Sequence, residues 1–234
     1  MVTKYKFSFM ACLILVAIAL FMTSSAFAAS FQATYQKAKK GDAMAQNDLG
    51  IMYAKGDGVK QDYSEAVKWY RKAAGQDLAV AQFNLGLMYY QGHGVKASKV
   101  EAASWFRKSA NNGYAEAQNT LGGMYEHGDG VRLDKATAAD WFRKAAEQGL
   151  ARAQFNLGVK YEYGNGVTEN KSEAFKWYLK AAEQGHAQAQ YSAGIMYYMG
   201  EGVEESRAEA LKWLRLSARQ GFRQAMVFLR TISD

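Results

Sequence analysis

The sequence repeats itself every 36 residues, and this period limits the possible folds more than any other property of the chain. Units begin at Ala43, Ala79, Ala115, Ala151 and Ala187. Each has a glycine at its eighth position (Gly50, Gly86, Gly122, Gly158, Gly194) and a tyrosine at its eleventh (Tyr53, Tyr89, Tyr125, Tyr161, Tyr197). A G-x-G-V segment follows, beginning at Gly56, Gly92, Gly128, Gly164 and Gly200, and all five tryptophans (Trp69, Trp105, Trp141, Trp177, Trp213) share one later phase. A unit of this size cannot bury its apolar side alone, so the repeats must stack on one another to form a core.

Each unit reads as two helices. The first spans Ala43 to Lys55 in the first repeat, with Leu49, Gly50 and Tyr53 on one face and the glycine allowing close approach of a neighbour. The G-x-G-V segment ends it, because glycine takes the left-handed backbone of a helix C-terminus without steric cost. The second helix starts at Asp62, Ser98, Asp134, Asn170 or Ser206, all good N-caps. Glu65, Glu101, Glu173 and Glu209 stand three residues on, with only Thr137 departing, which predicts capping boxes. Basic pairs such as Arg71-Lys72 and Arg107-Lys108 close the helix and complement its dipole. Gly113, Gly149, Gly185 and Gly221 terminate it, with Asp77 in their place in the first repeat. The chain contains no proline, in keeping with a mostly helical fold.

The pattern A-x-A-Q-x-x-L-G-x-M-Y-x-x-G-x-G-V, then W-[YF]-R-K-A-A-x-x-G, resembles the Sel-1-like repeat, a relative of the tetratricopeptide repeat with a longer, glycine-bearing loop. The five units cover Ala43–Phe222, and the fifth is least regular, with Ala193 for Leu and Leu216 for Lys. The resemblance implies an all-α, right-handed α-solenoid of helix-turn-helix repeats. On this reading residues 29–42 and 223–234 are terminal capping half-repeats around repeats 43–78, 79–114, 115–150, 151–186 and 187–222.

Residues 1–28 read as a signal peptide. Lys4 and Lys6 precede an apolar run over 7–22, and Ala26-Phe27-Ala28 offers a cleavage site. The run is shorter than the roughly 20 residues that span a bilayer. The expected location is therefore periplasmic or secreted, with a membrane tie only if the segment stays uncleaved. Cys12, the one cysteine, falls inside it, so the exported chain relies on packing without disulfides. Removing Lys4 and Lys6 from a net charge of +7 leaves 27 basic and 22 acidic residues. This excess reads as spread along the chain, and no nucleic-acid site is expected.

Function is sought on the face of the first helix whose identity changes from repeat to repeat. By analogy with tetratricopeptide solenoids this face lines the concave groove. The candidate partner-binding residues are Phe83, Tyr90, Glu126, His127, Phe155, Glu162, Tyr163, Tyr191 and Tyr198. Aromatic side chains on a preformed surface suit an extended peptide or protein segment. For Phe83, Phe155 and Tyr191, packing between adjacent helices is an equally good reading. The tryptophans, fixed in phase and identity, read as structural.

No metal and no cofactor is expected: His93, His127 and His186 occupy three different phases. Neither S-x-x-K, K-T-G nor G-x-S-x-G occurs. Some exported Sel-1-like proteins are described as β-lactamases and carry a cysteine pair in each repeat. This chain lacks those pairs, so the resemblance does not carry that activity over. The expectation is a non-enzymatic scaffold for a protein or peptide partner in envelope assembly, signalling or host interaction (virulence). The alternatives are a secreted hydrolase and a modulator of peptidoglycan or of a cell-wall enzyme. Oligomeric state is left open by the sequence.

Overall fold

The computed structural model describes residues 29–233, so the signal-peptide reading of 1–28 lies outside the described residues. Among the described residues there are twelve helices and no strand. Helix α1 covers 29–39. It is followed by α2 (Ala43–Lys55), α3 (Tyr63–Ala74), α4 (Ala79–Gln91), α5 (Lys99–Asn111), α6 (Ala115–His127) and α7 (Lys135–Glu147). The remainder are α8 (Ala151–Tyr163), α9 (Lys171–Glu183), α10 (Ala187–Met199), α11 (Arg207–Arg219) and α12 (Arg223–Ser233). None of the described helices is long and apolar enough to cross a membrane.

The chain divides into two compact units, one ending at Ser98 and the other starting at Lys99. In the first, α2 packs on α3 and α3 on α4, while α1 places Phe31 edge-on against Tyr53 and Tyr35 against Trp69. In the second, each helix from α5 to α12 packs on the next. Each unit thus has the organisation of an all-α solenoid, in which a helix is held by its sequence neighbours.

Small residues set the helix spacing. Alanines at the third position (Ala81, Ala117, Ala153, Ala189) are fully buried, as are Leu49, Leu85, Leu121 and Leu157 at the seventh. The eighth-position glycine is the contact between the two helices of one repeat. A Cβ on Gly50 would lie 2.6 Å from the ring of Tyr70, and one on Gly158 would lie 2.6 Å from that of Tyr178. The second loop glycine has a different task. A Cβ on Gly130 would collide with the backbone of Lys99, and one on Gly166 with that of Lys135. From the second repeat onward each G-x-G loop therefore rests on the first turn of the preceding repeat's second helix, and both glycines have positive φ.

The N-caps form as the sequence predicts, but the capping boxes do not. Asp62, Asp134, Asn170 and Ser206 each accept a backbone N–H from the residue three positions on. At Asp62, Asn170 and Ser206 the glutamate does not complete the box. The N-cap's own N–H donates to the eleventh-position tyrosine carbonyl, as in Asp134 to Tyr125 and Asn170 to Tyr161, both at 2.8–2.9 Å. The loop folds back so that the end of one helix satisfies the start of the next, which frees the glutamates for Lys68, Lys176 and Lys212 three residues further along. Asp77, the exception among the terminating glycines, nevertheless takes the left-handed conformation (φ 59°) that glycine holds elsewhere.

Buried glutamines join successive repeats. Within the second unit Gln118, Gln154 and Gln190 donate to the carbonyls of Ala110, Ala146 and Ala182 at 3.0–3.2 Å. Their own side-chain oxygens accept from Gln148, Gln184 and Gln220 at 2.7–2.8 Å. Each buried amide therefore bridges two second helices, satisfying groups whose unpaired burial would cost about 1–3 kcal/mol.

Candidate functional site

The variable face comprises positions two, five, nine, twelve and thirteen of the first helix in each repeat. In the first unit Met44 and Tyr90 are 53% and 41% exposed, and Phe83 is half-buried. Asn47, on the same predicted face, is buried and accepts from the amide of Asn84 at 2.9 Å, so its role there is packing.

In the second unit the face is built from α6, α8 and α10. Between α6 and α8 it is polar. Glu116 pairs with Arg152, Asn119 accepts from Asn156 at 2.9 Å, and Glu126 pairs with Lys160. The first of these pairs is largely solvated and contributes little to stability. The Lys160 side chain, by contrast, is only 2% exposed and its ammonium also lies over the Phe142 ring, 5.7 Å from its centroid. Gly123 occupies position nine, where the other repeats carry Ile51, Leu87, Val159 and Ile195. A Cβ there would meet nothing within 4 Å, so Gly123 leaves a notch on this face.

Between α8 and α10 the face is aromatic. Phe155 stacks on His186 with ring centroids 5.0 Å apart and also contacts Tyr178 at 5.5 Å. The buried Tyr178 hydroxyl donates to the carboxylate of Glu162. Burial first, and the Glu162 carboxylate second, push that phenol well above its ordinary pKa. The charge of Glu162, ahead of burial, raises Tyr163 as well. His186 caps α10, its Nδ1 accepting from Ala189 at 3.3 Å. Burial, followed by the charge of Arg152, lowers its pKa.

The other candidates are placed as follows. Tyr163 is 63% exposed and His127 is exposed, both at the loop end of their helices. Tyr191 and Tyr198 are half-buried, packed on Phe222 and Phe228 at 5.4 Å and 5.3 Å. Lys160 was missed by the sequence reading although its signal was visible. It occupies the tenth position, where Met52, Met88, Met124 and Met196 stand in the other repeats, and a lysine in a methionine phase announces a buried charge in need of a partner. The tryptophans are framework: Lys72, Lys108, Lys144 and Lys180 lie over Trp69, Trp105, Trp141 and Trp177 at 3.9–4.2 Å from the ring centroid. Among the described residues no three His, Cys, Asp or Glu side chains are grouped to hold a metal ion.

Helix pairs on a repeated buried frame, with one face free to vary, define the helical-repeat class of proteins. Residues 43–78, 79–114, 115–150, 151–186 and 187–222 each match the Sel1 repeat, and the chain belongs to that family. Sel1 repeat proteins are generally protein-interaction scaffolds, and the fold is typically non-catalytic. A protective antigen present in uropathogenic Escherichia coli strains, displaying the same repeat fold, is 41% identical over 85% of the chain with a TM-score of 0.82. The chain spans 43% of that antigen's length. A Sel1 repeat protein from Oxalobacter formigenes is 34% identical, with 94% of this chain and 87% of the other covered and a TM-score of 0.79. An immunity protein from Pseudomonas aeruginosa, 21% identical over 89% of this chain and 81% of its own, shares the fold at a TM-score of 0.51. No curated protein matches the chain.

Proposed function

We propose that the chain is an exported adaptor that holds an extended segment of a partner protein on the variable face of its first helices. One observation carries this reading. The frame residues recur in every repeat, whereas the face beside them changes from charged pairs on α6 and α8 to aromatic rings on α8 and α10. A purely structural stack has no need of such a change, and a binding surface does: its varied side chains read one partner and reject others. Export is supported by Lys4 and Lys6, the apolar 7–22 run and Ala26-Phe27-Ala28, and places the partner in the cell envelope or outside the cell. A role in envelope assembly, signalling or contact with a host belongs to the same proposal.

Two measurements test it. N-terminal sequencing of the protein from fractionated cells should begin at Ala29; an intact Met1 in the cytoplasmic fraction rejects export. Crosslinking followed by mass spectrometry should place partner peptides on Glu126, His127 and Tyr163, with capture lost in a Tyr163→Ala, Tyr191→Ala, Tyr198→Ala variant of unchanged helicity. Crosslinks confined to the tryptophan-bearing helices reject this face.

A further inference from the structure

The second unit has a surface that the repeat pattern does not account for. Helix α12 follows the phase of a first helix, with Ala225, Leu229 and Ile232 turned to the core, but it lacks the frame. Arg230 stands at the glycine phase and Met226 at the glutamine phase. Between α10 and α12 lies an open groove of about 420 Å³ with mostly apolar walls, formed by Tyr191, Val227, Phe228, Thr231, Gln224 and Arg223. A volume of this size lies in the range of small-ligand and side-chain pockets. Gln224, Val227 and Thr231 occupy positions two, five and nine of their helix, the same phases that form the variable face elsewhere.

Charge is concentrated in the same place. The sequence reading spread the basic excess along the chain, but residues 29–206 carry 21 basic and 20 acidic side chains, while 207–234 carry six and two. Most of the excess therefore resides in the stretch that begins with α11. Arg207 is tied to the carbonyl of Ile232 at 2.6 Å and Lys212 to Glu209 at 3.0 Å. Arg223, on the groove wall, is exposed and has no acidic partner among the described residues.

We propose that this groove seats an apolar side chain from an acidic segment of the partner protein, with a carboxylate beside that side chain paired to Arg223. The inference rests on the adaptor reading and adds the partner's chemistry. Apolar walls reward burial of an aliphatic or aromatic group. The basic pair of helices raises the local concentration of acidic chains and repels basic ones. The guanidinium of Arg223, carried on the first turn of α12, offers a forked donor set matched to a carboxylate. The surface suits a peptide better than a membrane. Met226 and Val227 are the exposed large apolar residues of α12, whereas a helix lying on a bilayer presents a broad apolar face.

The test is fluorescence anisotropy of the purified protein with two short labelled peptides, one alternating aspartate with leucine and phenylalanine, the other identical with lysine for aspartate. Saturable binding of the acidic peptide alone is expected, weakening steeply with salt. Arg223→Glu and the groove-filling Thr231→Trp should each weaken it about tenfold or more. Both positions are exposed, so thermal unfolding should be unchanged and serves as the folding control. Equal binding of both peptides, or of neither, overturns the inference. Binding of the acidic peptide that resists both substitutions but is lost in Tyr163→Ala overturns it while leaving the adaptor reading intact. Sedimentation with phosphatidylglycerol vesicles, sensitive to Arg223→Glu and without peptide binding, also overturns it and assigns the surface to lipid.

Discussion

Between α6 and α8 the twelfth-position Glu126 meets Lys160, and between α8 and α10 its counterpart Glu162 meets the hydroxyl of Tyr178. The two joints share a frame and differ in where the donor comes from. In the first, the aromatic residue behind the pair is Phe142, which has no hydroxyl, and the next first helix supplies an ammonium. In the second, Tyr178 supplies the hydroxyl and the next helix carries Met196, the methionine this chain's other repeats have at that phase. A carboxylate at one phase thus demands a donor at one of two others, and either phase will serve. The joints also differ at their caps, where Leu150 opens α8 and His186 opens α10.

The largest effect expected from breaking this comparison is at Glu126. Glu126→Ala leaves the Lys160 ammonium buried without its partner, a loss on the order of 3 kcal/mol by denaturant unfolding. Adding Lys160→Met, the residue of the other repeats, should restore stability to wild type or above. A Glu126→Ala variant within about 1 kcal/mol of wild type would falsify the buried pair.

Adjacent glycines on α6 sharpen the point next. A Cβ on Gly122 would lie 2.8 Å from the Phe142 ring, whereas one on Gly123 meets open space. Gly122→Ala should cost about 1–3 kcal/mol, and Gly123→Ala should gain up to about 1 kcal/mol from the unfolded state. Thermal denaturation of the two variants must move in opposite directions; parallel shifts sink the distinction between a contact glycine and a notch glycine.

Tyr178→Phe converts the second joint's aromatic to that of the first without supplying a lysine. Its cost should be about 1 kcal/mol, since the half-exposed Glu162 can turn to water. Adding Met196→Lys to that variant should recover part of the loss. No recovery would show that the two donor positions are not interchangeable.

The smallest effect is one of pH. Burial and Arg152 hold His186 below its ordinary 6.5, so as pH falls the unfolded chain takes up the proton before the folded one. Its contribution to stability is therefore complete above about 6.5 and declines until the pH passes the lowered folded value. His186→Leu, the residue of the other joint, should flatten unfolding midpoints across this window. An unchanged slope would exclude His186 as its source.

Much of this molecule was legible in the sequence because the repeat tests every position five times. The helix limits, the N-caps, the close approach at the eighth-position glycine and the left-handed backbone of the loop glycines follow from phase alone. What escaped was set by partners on other helices. The capping-box glutamates had the right spacing, but a carbonyl brought round by the loop reached the N-cap first. Lys160 is explained by Glu126, which belongs to the preceding repeat. For Phe155 and Tyr191 the sequence left binding and packing equally open, and ring contacts with His186 and Phe222 show that packing holds at least part of each side chain. The α12 groove was hidden because a half-repeat reads as a cap, and a charge total conceals where the charges sit.

The bridging glutamines bear on how such a chain can change its length. In each repeat of the second unit the same glutamine donates its amide N–H to a carbonyl of the preceding repeat and accepts, on its oxygen, from a glutamine at the end of its own. Duplicating or excising one whole period leaves every donor with an acceptor, so the core is indifferent to how many times the motif is copied. A gain or loss of a single residue within the period has no such immunity, because it turns a buried amide away from both partners. The chemistry of one side chain thus makes the 36-residue block, rather than the individual residue, the natural increment of growth.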